Sequence, residues 1–325
     1  MIVGAPPATP YDRLARTARH RWWRPLAGTL LVIAATVGTV CVIFGVAAVV
    51  AELTGRPTDD DGIPVLGPVA DTALLLLAVA AALPWTLAAA RWLQRRPAGT
   101  VSSVTGRLRW RWLGVCLLVA VPLIGVLLFG AELLLRLTGH DESLTEPAAW
   151  VGWPAFGVAL SMIVLLVPFQ AAAEEYVFRG WLPQAVGAYL ANPWPGIVLS
   201  ALLFSALHGF GTPWGFAELT VMGLLLGWLT RRTGGLEAAV ALHVVNNVLA
   251  FALTAAYGGL GATETMADAP WQVVAVSVPV LVTYTVLVDR LAGRRAVATV
   301  TAAPPVPVAP GPYLATGPYL ATGPR

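Results

Sequence analysis

The stretch 168-PFQAAAEEYVFRGWLP-183 places two adjacent glutamates and an arginine directly after the apolar run 153-WPAFGVALSMIVLLV-167. If that run lies in a membrane, the three charges lie at or near membrane depth, where each charge costs roughly 2.5–3.5 kcal/mol on insertion scales. On a helix, Glu175 and Arg179 are four residues apart and share a face, whereas Glu174 is turned about 100° away. The spacing therefore predicts one glutamate paired with arginine and one left free.

The composition of the whole chain is that of a helical membrane protein. Of the 325 residues, 57% are apolar and 11% are charged, which excludes an ordinary soluble globular domain. The basic residues are all arginines, and they cluster between apolar runs. This pattern indicates membrane orientation and no nucleic-acid binding. Cys41 and Cys116 lie inside apolar runs and are interpreted as small apolar side chains.

Long apolar runs predict an all-α fold, a polytopic transmembrane helical bundle of about eight transmembrane helices. The runs begin near Leu26, Val69, Leu113, Trp153, Gly196, Trp214, Leu236 and Trp271. Two of them are short, so residues 195–230 are expected to form either two spans or one re-entrant hairpin.

The chain divides into five regions at the span boundaries. These are a basic N-terminal segment (1–24), the first three spans (25–149), a core that carries the intramembrane polar residues (150–255), the last loop and span (256–295), and a tail (296–325). The tail is rich in Pro, Gly and Ala and contains GPYLAT twice, and it is expected to be disordered.

Charge alternates along the connecting segments. Arginines occur in the segments 13–24, 91–111, 231–232 and 290–295 and at Arg179, and all of these are assigned to one side, whereas acidic residues occur in the alternate loops. Because cytoplasmic loops are enriched in arginine, the alternation predicts a multi-pass protein of the plasma membrane with both termini in the cytoplasm. The lysine-free, Ala- and Arg-rich composition is typical of a GC-rich bacterial genome.

Histidine usage adds two further candidates to the glutamates. His20 and His140 lie between apolar runs, whereas His208 and His243 lie inside such runs, in 204-FSALH-208 and 243-HVVNN-247. At helical spacing, Phe204 shares a face with His208, and Asn247 shares a face with His243.

Three motifs in this order, EExxxR, FxxxH and HxxxN, resemble the CAAX protease and bacteriocin-processing family (also called Abi) of intramembrane endopeptidases, which includes type II CAAX prenyl endopeptidases. The resemblance covers roughly residues 150–255. It implies that Glu174 and His208 activate a water molecule that attacks a peptide bond. It also implies that His243 and Asn247 bind the developing oxyanion, and that Glu175, Arg179 and Phe204 support the site.

The chemistry of these side chains is consistent with that implication. A carboxylate partly removed from water is a suitable general base, and a histidine can share or relay the proton. An imidazole and a carboxamide can donate hydrogen bonds where negative charge develops. The implied partners are the lipid bilayer and a membrane-embedded or lipidated peptide or protein substrate.

A divalent metal such as zinc is the open question, since members of the family are often classed as metalloproteases. Glu174, His208, His243 and Asn247 are then the candidate ligands. However, the chain has no HExxH motif, and carboxamide ligation of zinc is unusual. We therefore expect metal-independent water activation, with a metal-dependent mechanism as the alternative.

Two other functions are compatible with the composition. A non-proteolytic immunity or scaffolding protein of the same family keeps the fold but needs no polar site. A proton-coupled transporter also carries intramembrane Glu and His, but it predicts repeated halves, and the polar pattern has no second copy before residue 150. Simple alternation of spans also separates Glu174 from His208, so their cooperation requires a re-entrant hairpin or strong tilting. We expect His208 near mid-membrane.

Overall fold

The computed structural model describes residues 2–59, 62–139, 149–261 and 265–303. These residues contain no named strand, and they form helices α1 (Trp23–Thr54), α2 (Pro68–Ala80), α3 (Ala82–Trp92), α4 (Trp110–Leu137), α5 (Trp153–Glu175), α6 (Leu182–Gly187), α7 (Trp194–Leu207), α8 (Pro213–Thr233), α9 (Glu237–Ala256) and α10 (Trp271–Arg294). The predicted all-α polytopic bundle is confirmed.

The described part of the chain contains six candidate membrane spans. They are Trp23–Thr54, Pro68–Trp92, Trp110–Leu137, Trp153–Gly187, Glu237–Ala256 and Trp271–Arg294. Their starts lie close to the predicted ones because continuous apolar runs define them. In the most apolar window of α1 only 11% of the residues are buried inside the protein, as expected for a helix whose apolar surface faces lipid.

The predicted count of eight spans is not confirmed. Helix α7 has 14 residues and is therefore about 21 Å long, which is too short to cross a hydrocarbon core of about 30 Å. Helix α8 is not among the candidate spans, and it packs against α7. The two helices thus form a hairpin, and its first arm ends at Leu207, directly before His208.

The basic segments of the chain meet at one end of the bundle, here called the arginine end. The N–H of Thr301 donates to the carbonyl of Thr9, and Pro10 forms an isolated β-bridge with Val300. Arg109, in the loop before α4, binds Glu237 at 2.6 Å. The gathering of these segments agrees with the charge alternation, although the side of the membrane that they face stays a prediction.

Not all of the predicted tail is separate from the bundle. Residues 296–303 lie beside the N-terminal segment, where the carbonyl of Thr301 accepts a hydrogen bond from the N–H of Ala8. Residues 304–325, including the GPYLAT repeats, lie outside the described residues, as do His140 and the acidic residues 141–146.

A π-helical turn, Tyr176–Trp181, joins α5 to α6 within the span Trp153–Gly187. Pro183 has no N–H to donate, and the N–H of Leu182 bonds to the carbonyl of Val177, which leaves the carbonyl of Phe178 without a donor from its own helix. The hydroxyl of Ser200 in α7 donates to that carbonyl. This bond attaches α7 to the π turn just after the two glutamates.

Candidate active site

Glu175 and Arg179 form a sealed ion pair inside the bundle. Their side chains are 0% and 1% exposed, and Arg179 Nη1 donates to Glu175 Oε1 over 3.0 Å. The guanidinium of Arg179 lies over the ring of Phe204, 4.1 Å from the ring centroid. The predicted i, i+4 pair is therefore present, and Phe204 covers its arginine through a cation–π contact.

Glu174, the other glutamate, lies in a more open environment, with 14% of its side chain exposed. Its Oε2 oxygen accepts from Gln170 Nε2 at 2.8 Å and lies 3.2 Å from His243 Nε2. Among the described residues, its Oε1 oxygen has no hydrogen-bond partner, yet it is not enclosed. One oxygen is thus anchored, and the other is free to accept a hydrogen bond from water or substrate.

A chain of side-chain amides leads to Glu174. Asn246 donates to Asn247 Oδ1 at 3.2 Å, Asn247 donates to Gln170 Oε1 at 3.1 Å, and Gln170 donates to the carboxylate. Every donor in this chain points toward Glu174, so the aligned amide dipoles stabilise the negative charge of the carboxylate.

His243 lies between the two glutamates. Its Nδ1 atom is 2.7 Å from Glu175 Oε1, and its Nε2 atom is 3.2 Å from Glu174 Oε2. A carboxylate only accepts hydrogen bonds, so either His243 carries a proton on both nitrogens or one carboxyl carries the proton. In both cases a proton lies between the open glutamate and the sealed ion pair.

His208 ends α7 close to this cluster. Its ring lies 4.4 Å from the ring of Phe204, and the Phe204 ring is 6.0 Å from that of His243. His208 is near enough to Glu174 for an electrostatic interaction, although no hydrogen bond joins the two within the described ranges. The short α7 thus ends near Glu174, and its depth in a membrane stays a prediction.

The hydrogen bonds around His208 define its neutral tautomer. Its Nδ1 atom lies 2.8 Å from the carbonyl oxygen of Phe204, which can only accept. Nδ1 therefore carries the hydrogen, and the Nε2 atom of neutral His208 presents a lone pair. From the loop before α10, Thr265 Oγ1 donates to the backbone carbonyl of His208 at 2.9 Å and holds this end of α7 in place.

The structure brings the predicted residues together in one cluster but changes two of the expected contacts. The histidine in direct contact with Glu174 is His243, not His208. Neither ring nitrogen of His243 is free to bind an oxyanion, because each faces a carboxylate. Gln170 was not predicted from the sequence. Its position four residues before Glu174, in an apolar run, could have indicated a contact between the two side chains.

The candidate metal ligands do not form a recognisable zinc site in this arrangement. Both nitrogens of His243 already face carboxylates, whereas a zinc-bound histidine presents one nitrogen as a lone pair to the metal. In the described ranges no group of three His, Cys, Asp or Glu side chains has the geometry to hold a metal ion. Metal-independent activation stays our expectation.

The comparison with known families bears directly on this cluster. Residues 155–249 match the family model described as type II CAAX prenyl endopeptidase Rce1-like. The predicted family resemblance is confirmed over this segment. The Rce1-like segment runs from α5 to the middle of α9 and contains all seven motif residues, from Glu174 to Asn247. The match supports a CAAX-protease-like membrane enzyme.

Two curated proteins extend the likeness beyond the Rce1-like segment. "Uncharacterized protein YyaK" of Bacillus subtilis is 26% identical over 269 residues, which is 77% of this chain and 86% of YyaK. "Uncharacterized 24.3 kDa protein" of Escherichia coli is 32% identical over 128 residues, 39% of this chain and 56% of that protein. Neither name states an activity. No solved structure matches the chain significantly.

Proposed function

We propose that this protein is an intramembrane endopeptidase that hydrolyses a peptide bond in a membrane-associated or lipidated peptide or protein. The observation that carries the proposal is the asymmetry of Glu174, whose Oε2 is held by Gln170 and His243 while Oε1 stays accessible. A general base needs a fixed carboxylate with one oxygen open to its substrate, and this arrangement provides it.

In the proposed step, a water molecule bound by Glu174 Oε1 and His208 Nε2 attacks the carbonyl carbon of the scissile bond. Glu174 takes the proton of the water, and the carbonyl π electrons move to the oxygen. Collapse of the tetrahedral intermediate breaks the C–N bond, and the proton passes to the leaving amine. Positioned acid–base groups of this kind contribute typically about 10²–10⁴-fold to the rate.

The second amide hydrogen of Asn247 is the best candidate donor to the oxyanion. Asn247 uses one N–H on Gln170, and a carboxamide has two. The resemblance implied that His243 and Asn247 both bind the oxyanion. We assign this role to Asn247 alone, and His243 then holds Glu174 in place. Such a donor is most effective in a site from which bulk water is excluded.

The surroundings of the cluster favour an apolar substrate that arrives through the bilayer. Phe169, next to Gln170, is 56% exposed, and Leu207, next to His208, is 75% exposed. Exposed apolar side chains beside an intramembrane polar site can contact lipid or an apolar substrate segment. The identity of the peptide is left to experiment.

The test is cleavage by the purified protein in proteoliposomes of a pooled library of lipidated and transmembrane peptides, read by mass spectrometry. Wild type is compared with Glu174→Gln and with Glu218→Gln, a buried glutamate of α8 that binds Ser277 away from the cluster. We expect products from wild type and Glu218→Gln, with and without a chelator, and none from Glu174→Gln. Products from Glu174→Gln, or their loss with Glu218→Gln alone, would contradict the proposal. Absence of products from every variant would favour the non-proteolytic alternative.

A further inference from the structure

A second feature, remote from the glutamates, is a cluster of arginines at the start of α1. Arg19, Arg21 and Arg95 each lie close enough to Arg24 for an electrostatic interaction, and Arg24 Nη1 donates to the backbone carbonyl of Arg19. Among the described residues, none of the four forms an ion pair with a carboxylate. The pKa of the neighbouring His20 is lowered from its usual value. Partial burial is the largest cause, and the positive charges of Arg16, Arg24 and Arg21 add to it.

The carboxylates of the arginine end already pair with other arginines. Asp12 binds Arg231 at 3.2 Å, Glu237 binds Arg109 at 2.6 Å, and Asp289 binds Arg232 at 3.0 Å. Among the described residues, no further carboxylate of the arginine end is therefore left to pair with the cluster.

The conformation of Arg95 is a sign of constraint at this cluster. Its φ is 53°, in the left-handed region that residues other than glycine rarely adopt. The N–H of Val3 donates to its carbonyl and so holds the turn after α3 in this form. Strained residues of this kind often occur at ligand-binding positions.

An apolar groove of about 460 Å³ lies between α1 and α3. It is lined by Thr39, Ala81, Pro84, Trp85, Ala88 and Trp92. Trp85 Nε1 donates to Thr39 Oγ1 at 2.9 Å, so the polar groups of Trp85 and Thr39 satisfy each other and the wall that remains is apolar. Trp92, at the end of α3, is the lining residue nearest in the chain to Arg95.

We propose that the groove and the arginine cluster together form a binding site for one anionic glycerophospholipid of the bilayer. An acyl chain lies along the groove, and the phosphate lies beside Arg24 and Arg95. The chemistry of both parts matches this ligand, because basic clusters at the membrane surface attract anionic headgroups and apolar grooves accept hydrocarbon. The site is independent of the proposed peptidase activity.

The test measures thermal unfolding of the purified full-length protein in neutral detergent as phosphatidylglycerol or phosphatidylcholine with the same acyl chains is added. Wild type should be stabilised by much lower concentrations of phosphatidylglycerol. Arg24→Gln/Arg95→Gln should weaken the apparent affinity for phosphatidylglycerol by more than about tenfold, since each basic residue contributes on the order of 1 kcal/mol to binding an anionic surface. Arg290→Gln/Arg294→Gln, which removes equal charge from the end of α10, should leave the affinity unchanged.

Ala88→Phe tests the groove without altering any charge. It should reduce stabilisation by long-chain phosphatidylglycerol, because the added ring fills the space assigned to the acyl chain. The proposal is overturned if the two arginine double variants lose affinity equally, since the attraction is then non-specific. It is also overturned if glycerol phosphate alone stabilises wild type as well as the lipid does, or if Ala88→Phe binds the lipid normally.

Discussion

Glu174 and Glu175 are neighbours in the chain, but their environments differ in every respect that matters for chemistry. Glu175 is completely buried and binds Arg179 and His243 through one oxygen, whereas Glu174 is partly exposed and keeps one oxygen available. The difference follows from the turn of about 100° per residue on a helix. Two identical side chains can therefore divide the roles of support and reaction, with His243 connecting them.

The largest expected effect on stability comes from removing Glu175, the buried glutamate of the ion pair. Glu175→Ala leaves the charge of Arg179 buried without its partner, which should lower the free energy of unfolding by about 3–5 kcal/mol. Equilibrium unfolding in mixed micelles measures the change. The double variant Glu175→Gln/Arg179→Met should cost less, because it leaves no unpaired charge.

Glu132→Ala is the matched control for this prediction. Glu132 and Arg136 form another i, i+4 pair at 2.5 Å, but their side chains are 18% and 66% exposed. Solvent screening reduces the contribution of such a pair to about 0–1 kcal/mol. An equal loss of stability from Glu132→Ala and Glu175→Ala would show that the Glu175–Arg179 pair is not shielded from solvent.

His208 lies on the side of the cluster where Glu174 is accessible, so replacing it should lower the reaction rate and leave the stability unchanged. His208→Gln removes the Nε2 lone pair that helps bind the attacking water and should lower kcat by about 10²-fold. Its unfolding temperature should stay near that of wild type. His20→Gln, a substitution at the arginine end, is the control. Similar small effects from both variants would remove His208 from the mechanism.

A smaller effect is expected at Gln170, which orients the open glutamate. Gln170→Leu removes a hydrogen bond to a charged group, typically worth about 1.5–3 kcal/mol, so kcat/KM should fall at least about tenfold. Gln184→Leu removes a buried glutamine that donates to the carbonyl of Thr100, and kcat/KM should then stay unchanged. A Gln170→Leu enzyme with full activity would mean that His243 alone positions Glu174.

The sequence predicted the elements of this site better than their contacts. The spacing of Glu175 and Arg179 predicted their ion pair, because i, i+4 neighbours meet on any helix and here meet even across the start of a π turn. The spacing could not show that His243 inserts between the glutamates, because that contact joins residues 68 positions apart.

The predicted count of eight spans is not confirmed, for a related reason. Apolar runs predict helices, but α7, with 14 residues, is too short to be a candidate span, and α8, with 21 residues, is long enough but not apolar enough. The early end of α7 also explains how His208 comes near Glu174, which simple alternation of spans placed far away. The hydrogen bond from Ser200 to the π turn could not be predicted from the sequence. It depends on the carbonyl of Phe178, which lacks a donor because Pro183 has no N–H.

The most direct test of the division between the two glutamates compares Glu174→Gln with Glu175→Gln in the same proteoliposomes, using one peptide that wild type cleaves. Hydrolysis and unfolding temperature are both measured. We expect Glu174→Gln to lose at least about 10²-fold in hydrolysis and to unfold like wild type, and Glu175→Gln to unfold at a clearly lower temperature. Full hydrolysis by Glu174→Gln would contradict the assignment of Glu174 as the base.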